Sequence, residues 1–432
     1  MLFQLKHRLH RWQHRERYNL LAELLHNQTL GKSQLLEKQK RALTSIVQFA
    51  VNNTPFYREK YKQIIGEITS EPLPDILPVL TKNEVVQHLD EMLAQNLDKN
   101  KLSLGNTGGS TGKPVSFYYD QHKHELMRAG MMRSYMWSGW QPGQIILNFW
   151  GARQDLQHGN LLGKKYHEFI SAEVTLPAHE YTGVQLKEWA NKIRAYCPVL
   201  LQGYASILAA LSRYIIENRI SMPDSLLGVY STAEVLYDEQ REAIEKAFGC
   251  KVFNQYGSRE IPNIACECRH GNLHVFTDMV YLESKSEDQE DQLLITSLTN
   301  RVMPMIRYAI GDSGSLKEGD CECGSPFPMM KMRLCRSNDL IKTSSGKTIH
   351  PSFFNSLLYG LTEINQYQYI QNEPGKITLN LVAPMKLSEQ KLAALQEKIH
   401  RGGDQNMSLE VNYVTELKQS ISGKHRFVIN NL

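Results

Sequence analysis

Apolar positions recur at helical spacing through residues 15–65, where Leu20, Leu21, Leu24 and Leu25 belong to one repeating stripe. The segment "EPLPDILPVLTKNEVVQHL" interrupts that pattern with three prolines, and a new element is expected at Lys82. From about residue 100 the period changes. Short runs rich in β-branched and aromatic residues ("PVSFYY", "IILNFW", "VLLQGY", "LLGVYS", "KVFNQY") alternate with helix-period stretches such as "YASILAALSRYIIENR" and "DEQREAIEKAFG". Such alternation predicts an α/β architecture with largely parallel strands. Between 275 and 320, "MVYLES" and "DQLLITSL" follow one another across charged or polar turns, so a β-rich subregion is expected there. After about 336 the helix–strand pattern restarts with "ITLNLVAP", "SEQKLAALQEKIH" and "SLEVNYV", enough for a small α+β domain. No internal repeat and no long low-complexity tract is present.

Composition narrows the class. A chain of 432 residues exceeds the usual size of one hydrophobic core, so two domains are expected. A hydrophobic content of 41%, a charged content of 22% and a net charge of +4 describe an ordinary soluble chain and argue against a dedicated nucleic-acid binder. Apolar runs such as Ile145 to Trp150 fall far short of the roughly 20 residues that span a bilayer, so no integral membrane segment is expected. The N-terminus, "MLFQLKHRLHRWQHRERYNLLAELL", lacks the uninterrupted apolar segment of a secretory signal. Leu5, Leu9 and Trp12 fall at helical spacing among Lys, Arg and His. Two readings stay open: a basic amphipathic helix in weak peripheral contact with an anionic membrane, or a helix packed on its own domain. Seven cysteines form an odd set in a large chain without an export signal, which points to reduced thiols and a cytoplasmic location.

Candidate chemistry starts at "SLGNTGGSTGKPVSF", Ser103 to Phe117. A glycine-rich loop brings backbone N–H groups close to an oxyanion such as phosphate. The Walker phosphate loop needs glycine where Thr107 stands and Ser or Thr where Pro114 stands, so that pattern fails twice. The remaining alternative on the loop alone is a plain Gly/Ser/Thr turn between strands. Four further strings follow in order: "VYSTAEVL" around Glu234, "VFNQYGSRE" from Val252 to Glu260, "RYAIGDSG" around Asp312 and "SISGKHRFVI" around Lys424. Read singly, Tyr256 is a strand-end core aromatic, Glu234 a surface residue and Lys424 a turn lysine.

Taken in order, these strings resemble the adenylate-forming enzyme superfamily, and within it the phenylacetate-CoA ligase family with its capsular polysaccharide biosynthesis (CapK-like) branch. The likeness covers nearly the whole chain, down to the early "VNNTPFYREKY" and "LPVLTKNEV". It implies a large N-terminal adenylate-forming domain, residues 1–335, with parallel-sheet α/β subdomains, a β-rich subregion and a helical segment at about 1–80. A small mobile C-terminal α+β domain, residues 336–432, would carry the catalytic lysine.

The same resemblance assigns roles. "TGGSTGKP" is similar to a loop that closes over the β- and γ-phosphates of ATP, with Thr107, Ser110, Thr111 and Lys113 as donors and Gly108 and Gly112 giving it freedom. In "NQYGSRE", Tyr256 would stack on adenine, Gly257 and Ser258 would form the turn beside it, and Glu260 would hold Mg²⁺. Arg259 stands where relatives have threonine. Asp312 would accept hydrogen bonds from the ribose hydroxyls, and Glu234 would line the adenine pocket or shape its turn. "LCRSNDLI" is similar to a hinge, with Arg336 near the nucleotide and Asn338 and Asp339 at the pivot; Cys335 and Asn338 depart from the glycine and aspartate common there. Lys424 would stabilise the charge that accumulates at the α-phosphate. Trp150, Arg153, His158 and Tyr204 lie in stretches that line the acyl site in relatives.

"ACECRHGNLHV" and "GDCECGSP" together offer Cys266, Cys268, His270, His274, Cys321 and Cys323, enough soft and borderline ligands for a tetrahedral zinc site or else a set of ordinary reduced thiols. The family resemblance selects Cys268, His274, Cys321 and Cys323, with Cys266 as a substitute, and implies structural rather than catalytic zinc. The implied reaction activates a small-molecule carboxylic acid with Mg·ATP as an acyl-AMP, then passes the acyl group to the thiol of coenzyme A. Two alternatives remain at this stage: transfer to an amine or hydroxyl, as in polysaccharide or secondary-metabolite biosynthesis, and a zinc-stabilised binding module without activity. A monomer or homodimer is expected.

Overall fold

The computed structural model describes residues 2–64, 66, 68, 76–107, 115–150, 172–178, 180–287, 290–332, 341–349, 353–354, 357–358, 361, 363–364, 366–417 and 428–432. Four helices open the chain: α1 (Leu2–Gln13), α2 (Arg15–Asn27), α3 (Lys32–Asn53) and α4 (Pro55–Lys60). The last starts where it does because the Thr54 hydroxyl accepts from Tyr57 N and Pro55 occupies a first-turn position that needs no donor. The element expected at Lys82 is α5 (Lys82–Gln87), capped by Thr81 and Glu84 in a reciprocal box. The remaining helices are α6 (Gln121–Met136), α7 (Gly183–Tyr196), α8 (Ala205–Glu217), α9 (Asp238–Phe248) and α10 (Glu389–Gly402).

The strands in chain order are β1 (Ser103–Asn106), β2 (Ser116–Tyr119), β3 (Ile146–Trp150), β4 (Glu173–Pro177), β5 (Glu180–Tyr181), β6 (Leu200–Tyr204), β7 (Gly228–Thr232), β8 (Lys251–Tyr256), β9 (Ala265–Glu267) and β10 (Leu273–Val275). They continue with β11 (Val280–Glu287), β12 (Glu290–Ser297), β13 (Tyr308–Lys317), β14 (Met329–Met332), β15 (Ile341–Lys342), β16 (Thr348–Ile349), β17 (Gln366–Glu373), β18 (Lys376–Val382), β19 (Ser408–Tyr413) and β20 (Val428–Asn430).

One sheet dominates, in the order β11-β12-β13-β14-β10-β9-β8-β7-β6-β3-β4. Its β4-β3-β6-β7-β8 half is parallel, as the alternating pattern predicts. One expectation changes. Among the described residues, "PVSFYY" forms β2, which pairs with β1 in a separate antiparallel hairpin and not in the main sheet. A four-residue strand pairs readily with its nearest neighbour in sequence, since closing a short connection costs little entropy. The β-rich subregion expected at 275–320 is present as β11, β12 and β13, which extend the main sheet through β14, β10 and β9. Antiparallel β8–β9 pairing lets the same sheet change direction without a crossover helix.

Residues of the C-terminal region gather their own core of Ile341, Phe354, Leu358, Tyr367, Tyr369, Leu379, Leu381, Ile399 and Val428. Strands β19-β18-β17-β20 form its sheet, with α10 laying Leu395 and Ile399 on it. The short β15–β16 hairpin pairs with β5, Thr348 opposite Tyr181.

Candidate functional site

The carboxyl ends of the parallel strands form the edge where several expected residues meet. Trp150 ends β3, Tyr204 ends β6 and Tyr256 ends β8. Neighbouring strand ends are in register, Tyr204 beside Thr232 and Thr232 beside Gln255. Trp150 and Tyr204 stack with ring centroids 5.1 Å apart and planes at 22°. Crevices at this end of a parallel sheet are where open α/β folds bind ligands. After Tyr204 the chain enters α8, and Glu234 Oε2 accepts from Ser206 N at 2.8 Å. Glu234 therefore caps α8, with its carboxylate at the positive end of the helix.

Tyr256 reaches across the sheet. Its hydroxyl donates to Asp312 Oδ2 at 3.1 Å, although β9, β10 and β14 lie between their strands. Beyond Tyr256 the chain makes a tight turn: Ser258 N donates to the Ile261 carbonyl and Ile261 N to Ser258 Oγ, both at 3.0 Å. That turn commits the Ser258 hydroxyl oxygen to the backbone and buries Glu260. Tyr308 OH donates to Glu260 Oε1 at 3.1 Å, while Oε2 is buried without a hydrogen-bond partner. A buried carboxylate oxygen left unpaired costs stability unless a cation or donor meets it. The chemistry suits a hard divalent cation such as Mg²⁺.

Thr107 sits at the neck of the glycine-rich loop. Thr107 N donates to the Val115 carbonyl at 2.8 Å and Val115 N to Thr107 Oγ1 at 3.0 Å, which closes the base of the loop. Arg259 Nη1 donates to the Asn106 carbonyl at 3.5 Å, so the residue that replaces threonine contacts this same neck. Gly108, Ser110, Thr111, Gly112, Lys113, Arg153, His158, Arg336, Asn338, Asp339 and Lys424 lie outside the described residues.

The strings near the start of the chain brace residues 304–309, the segment that leads into β13 and Asp312, a role that sequence reasoning missed. Tyr57 OH donates to the Pro304 carbonyl at 3.0 Å and accepts from Ile306 N at 3.1 Å. Leu80 N donates to the Arg307 carbonyl at 3.0 Å and Ala309 N to the Leu80 carbonyl at 2.9 Å. Arg307, in left-handed backbone at φ 51°, donates to Glu283 and, at 2.6 Å, to the Leu77 carbonyl. The signal available in sequence was the proline framing of "NNTPFY" and "LPVLT", which marks fixed turns without naming their partner.

A second group lies farther along the sheet. Cys268, His274, Cys321 and Cys323 bring one ligand atom each within 4.8 Å of one another. Cys268 follows β9, His274 lies in β10, and the other two precede β14. Each cysteine pair-end is set by a tight turn: Gly271 N donates to the Cys268 carbonyl and Gly324 N to the Cys321 carbonyl, with both glycines at φ 74°. A side chain there would strain the turn. Sγ atoms of Cys268 and Cys321 are 3.7 Å apart, and Cys323 Sγ is 3.3 Å from His274 Nε2. His274 Nδ1 donates to the Phe327 carbonyl at 2.9 Å, which leaves Nε2 with its lone pair toward the thiols. Burial holds the His274 pKa below its ordinary value, so the ring stays neutral as a ligand must.

Burial pushes the Cys321 thiol up, but hydrogen bonds from the Cys323 backbone, Cys323, Asn272 and Cys268 outweigh it and hold Cys321 below the usual thiol range. Asn272 Nδ2 donates to Cys321 Sγ at 3.2 Å. Cys266 stays apart: it is buried in the main core, its Sγ donates to the Glu267 carbonyl at 3.6 Å, and burial pushes its thiol up. Three cysteine sulfurs, one oriented imidazole and tetrahedral-scale spacing fit zinc. All six described cysteines are free thiols.

The family of the CapK C-terminal domain matches residues 341–431. Protein CapK of Staphylococcus aureus is 25% identical over 408 residues, 92% of this chain and 90% of that protein. The phenylacetate-coenzyme A ligase of Thermus thermophilus is 23% identical over 376 residues, 81% of each. Among solved structures, 2-hydroxyisobutyryl-CoA ligase in complex with 2-HIB-AMP and CoA, in the thioesterification state, superposes with a TM-score of 0.61 at 16% identity, covering 94% of this chain and 91% of that one. That last likeness concerns the fold, which is the fold expected. Among the described residues no helix is long and apolar enough to cross a membrane.

Proposed function

We infer the function of this chain from its membership of the CapK-like branch of the phenylacetate-CoA ligase-like, adenylate-forming enzymes. It is an AMP-forming acid–thiol ligase. One observation carries the reading: Tyr256 and Glu260, expected to serve adenine and Mg²⁺, both hydrogen-bond to β13, the first at Asp312, expected to serve the ribose, and the second at Tyr308. A non-enzymatic zinc module does not account for that meeting or for relatives that are ligases over most of their length.

In the first half-reaction a carboxylate oxygen attacks the α-phosphorus of ATP, forming the acyl-AMP and releasing pyrophosphate. Tyr256 supplies a flat surface for adenine and, through its hydroxyl, holds Asp312 in place for the ribose. Glu260 would hold Mg²⁺, which would supply charge neutralisation at the phosphate oxygens. Thr107 fixes the neck of the loop whose Ser110, Thr111 and Lys113 grip the departing pyrophosphate, with Gly108 and Gly112 letting it move. Lys424 stabilises the charge on the α-phosphate. In the second half-reaction the coenzyme A sulfur attacks the acyl carbon and AMP leaves, after the C-terminal domain turns about Asn338 and Asp339 to replace Lys424 with the thiol channel; Arg336 serves near the nucleotide. The stacked Trp150–Tyr204 pair is one wall of the acyl pocket, with Arg153 and His158 as its polar part. Cys268, His274, Cys321 and Cys323 would hold zinc in a structural role, since all four positions come from protein.

Pyrophosphate release from ATP across a panel of carboxylic acids tests the reading, followed by thioester formation when coenzyme A is added. If no acid stimulates release, the reading falls. A second reading sends the acyl group to an amine or hydroxyl. It is favoured by the CapK match at 341–431, the region expected to meet the acceptor. Acyl-AMP formation without any thioester would select it. Free thiols support a reducing, cytoplasmic compartment.

A further inference from the structure

Helix α1 joins the protein through one face and turns the wrong residues outward for a helix that only packs. His10 is buried: its Nδ1 lies 2.8 Å from the Tyr18 hydroxyl, and its Nε2 accepts from Arg17 Nη1 at 3.5 Å. A different stripe carries Leu5, Leu9 and Trp12 at i, i+4 and i+7, and these are 55%, 37% and 79% exposed. A helix that only covers a core reverses this arrangement, with large apolar groups inside and polar ones outside. The charge around the stripe is one-sided. Lys6, Arg8, Arg11 and Arg15 occupy the first 15 residues with no Asp or Glu among them, in a chain whose 49 basic and 45 acidic residues otherwise nearly balance. Arg8, Arg11 and Arg15 are exposed.

We propose that α1 is a peripheral anchor that lays Leu5, Leu9 and Trp12 into an anionic lipid surface, with Arg8, Arg11 and Arg15 against the headgroups. Tryptophan suits the boundary between headgroup and acyl chain, because its ring is apolar and its N–H needs a partner. Arginine stems reach along the apolar boundary while their guanidinium groups stay with lipid phosphates. One short helix gives reversible attachment. His10 and its partners keep the helix on the protein body, so docking would bring the ligase to the membrane surface. The anchor does not depend on the acid-activating reading, and the two fail separately.

The test is co-sedimentation of the full chain with vesicles of phosphatidylcholine alone or mixed with phosphatidylglycerol. The expected result is binding to the anionic vesicles only, weakened by salt as screening predicts. The triple variant Leu5→Gln, Leu9→Gln, Trp12→Gln should lose roughly tenfold or more of the bound fraction at an unchanged thermal midpoint. The double variant Arg8→Gln, Arg11→Gln provides an independent check should the triple variant fold poorly: it should lose the preference for phosphatidylglycerol. A parent protein that stays in solution with both vesicle types overturns the proposal, as does either folded variant that binds like the parent. A parent that elutes as a dimer, with a monomeric triple variant and no vesicle binding by either, would assign the stripe to a second copy instead.

Discussion

The Cys268–His274–Cys321–Cys323 group and the Tyr256–Asp312–Glu260 group both hang from strands of one sheet, yet they are completed differently. In the first, glycine turns aim two of the cysteines, a backbone carbonyl sets the histidine tautomer, and Asn272 orients a sulfur. The four ligand atoms converge within 4.8 Å of one another. In the second, a tyrosine holds an aspartate across three intervening strands, and one carboxylate oxygen of Glu260 is buried without a partner. A closed set of protein ligands favours a permanent ion and stability, whereas an incompletely satisfied polar site is suited to a passing substrate.

The largest effect expected from breaking this contrast is at Lys424, whose change to Ala should lower acid-dependent pyrophosphate release by about 10²–10³-fold with stability unchanged. Glu260→Gln should follow, with weaker Mg²⁺ dependence and a loss on the order of 10²-fold, about 2.7 kcal/mol in the barrier. A variant that kept the parent's Mg²⁺ titration would separate Glu260 from the cation. Asp312→Asn should cost about 1.5–3 kcal/mol, read mainly as a higher KM for ATP, as expected for a charge-assisted hydrogen bond.

On the other side of the comparison, Cys321→Ser should remove zinc from the purified protein and lower the thermal midpoint by several degrees, while adenylation per folded molecule stays near the parent's. Activity lost in step with zinc, without a change in stability, would erase the distinction between the two sites. The smallest effect concerns α1. Burial, aided by Arg17 and His14, lowers the His10 pKa from 6.5 to about 3, so the unfolded form binds the extra proton first. Stability from this contact is complete above pH 6.5 and is lost as pH falls from there toward about 3. Proteolysis within α1 should therefore accelerate on acidification in the parent. In His10→Gln that acceleration should be smaller.

The alternation of "IILNFW", "VLLQGY", "LLGVYS" and "KVFNQY" with helical runs was enough for β3, β6, β7 and β8 of the parallel half, though not for its edge strand β4, since period and burial are local properties of a strand. The family resemblance singled out Tyr256 and Asp312, which the structure joins by a hydrogen bond, and Cys268, His274, Cys321 and Cys323, which it gathers. Only the fold brought Tyr57 and Leu80 to the segment that leads into β13, set Cys266 aside in the core, and joined the 275–320 strands to the main sheet. These depend on which distant segments pair, and pairing partners leave no period in the chain. Leu5, Leu9 and Trp12 were legible as a stripe at helical spacing. That the stripe faces outward was decided by burial of His10 instead, because either face of a short helix can pack and only its neighbours choose.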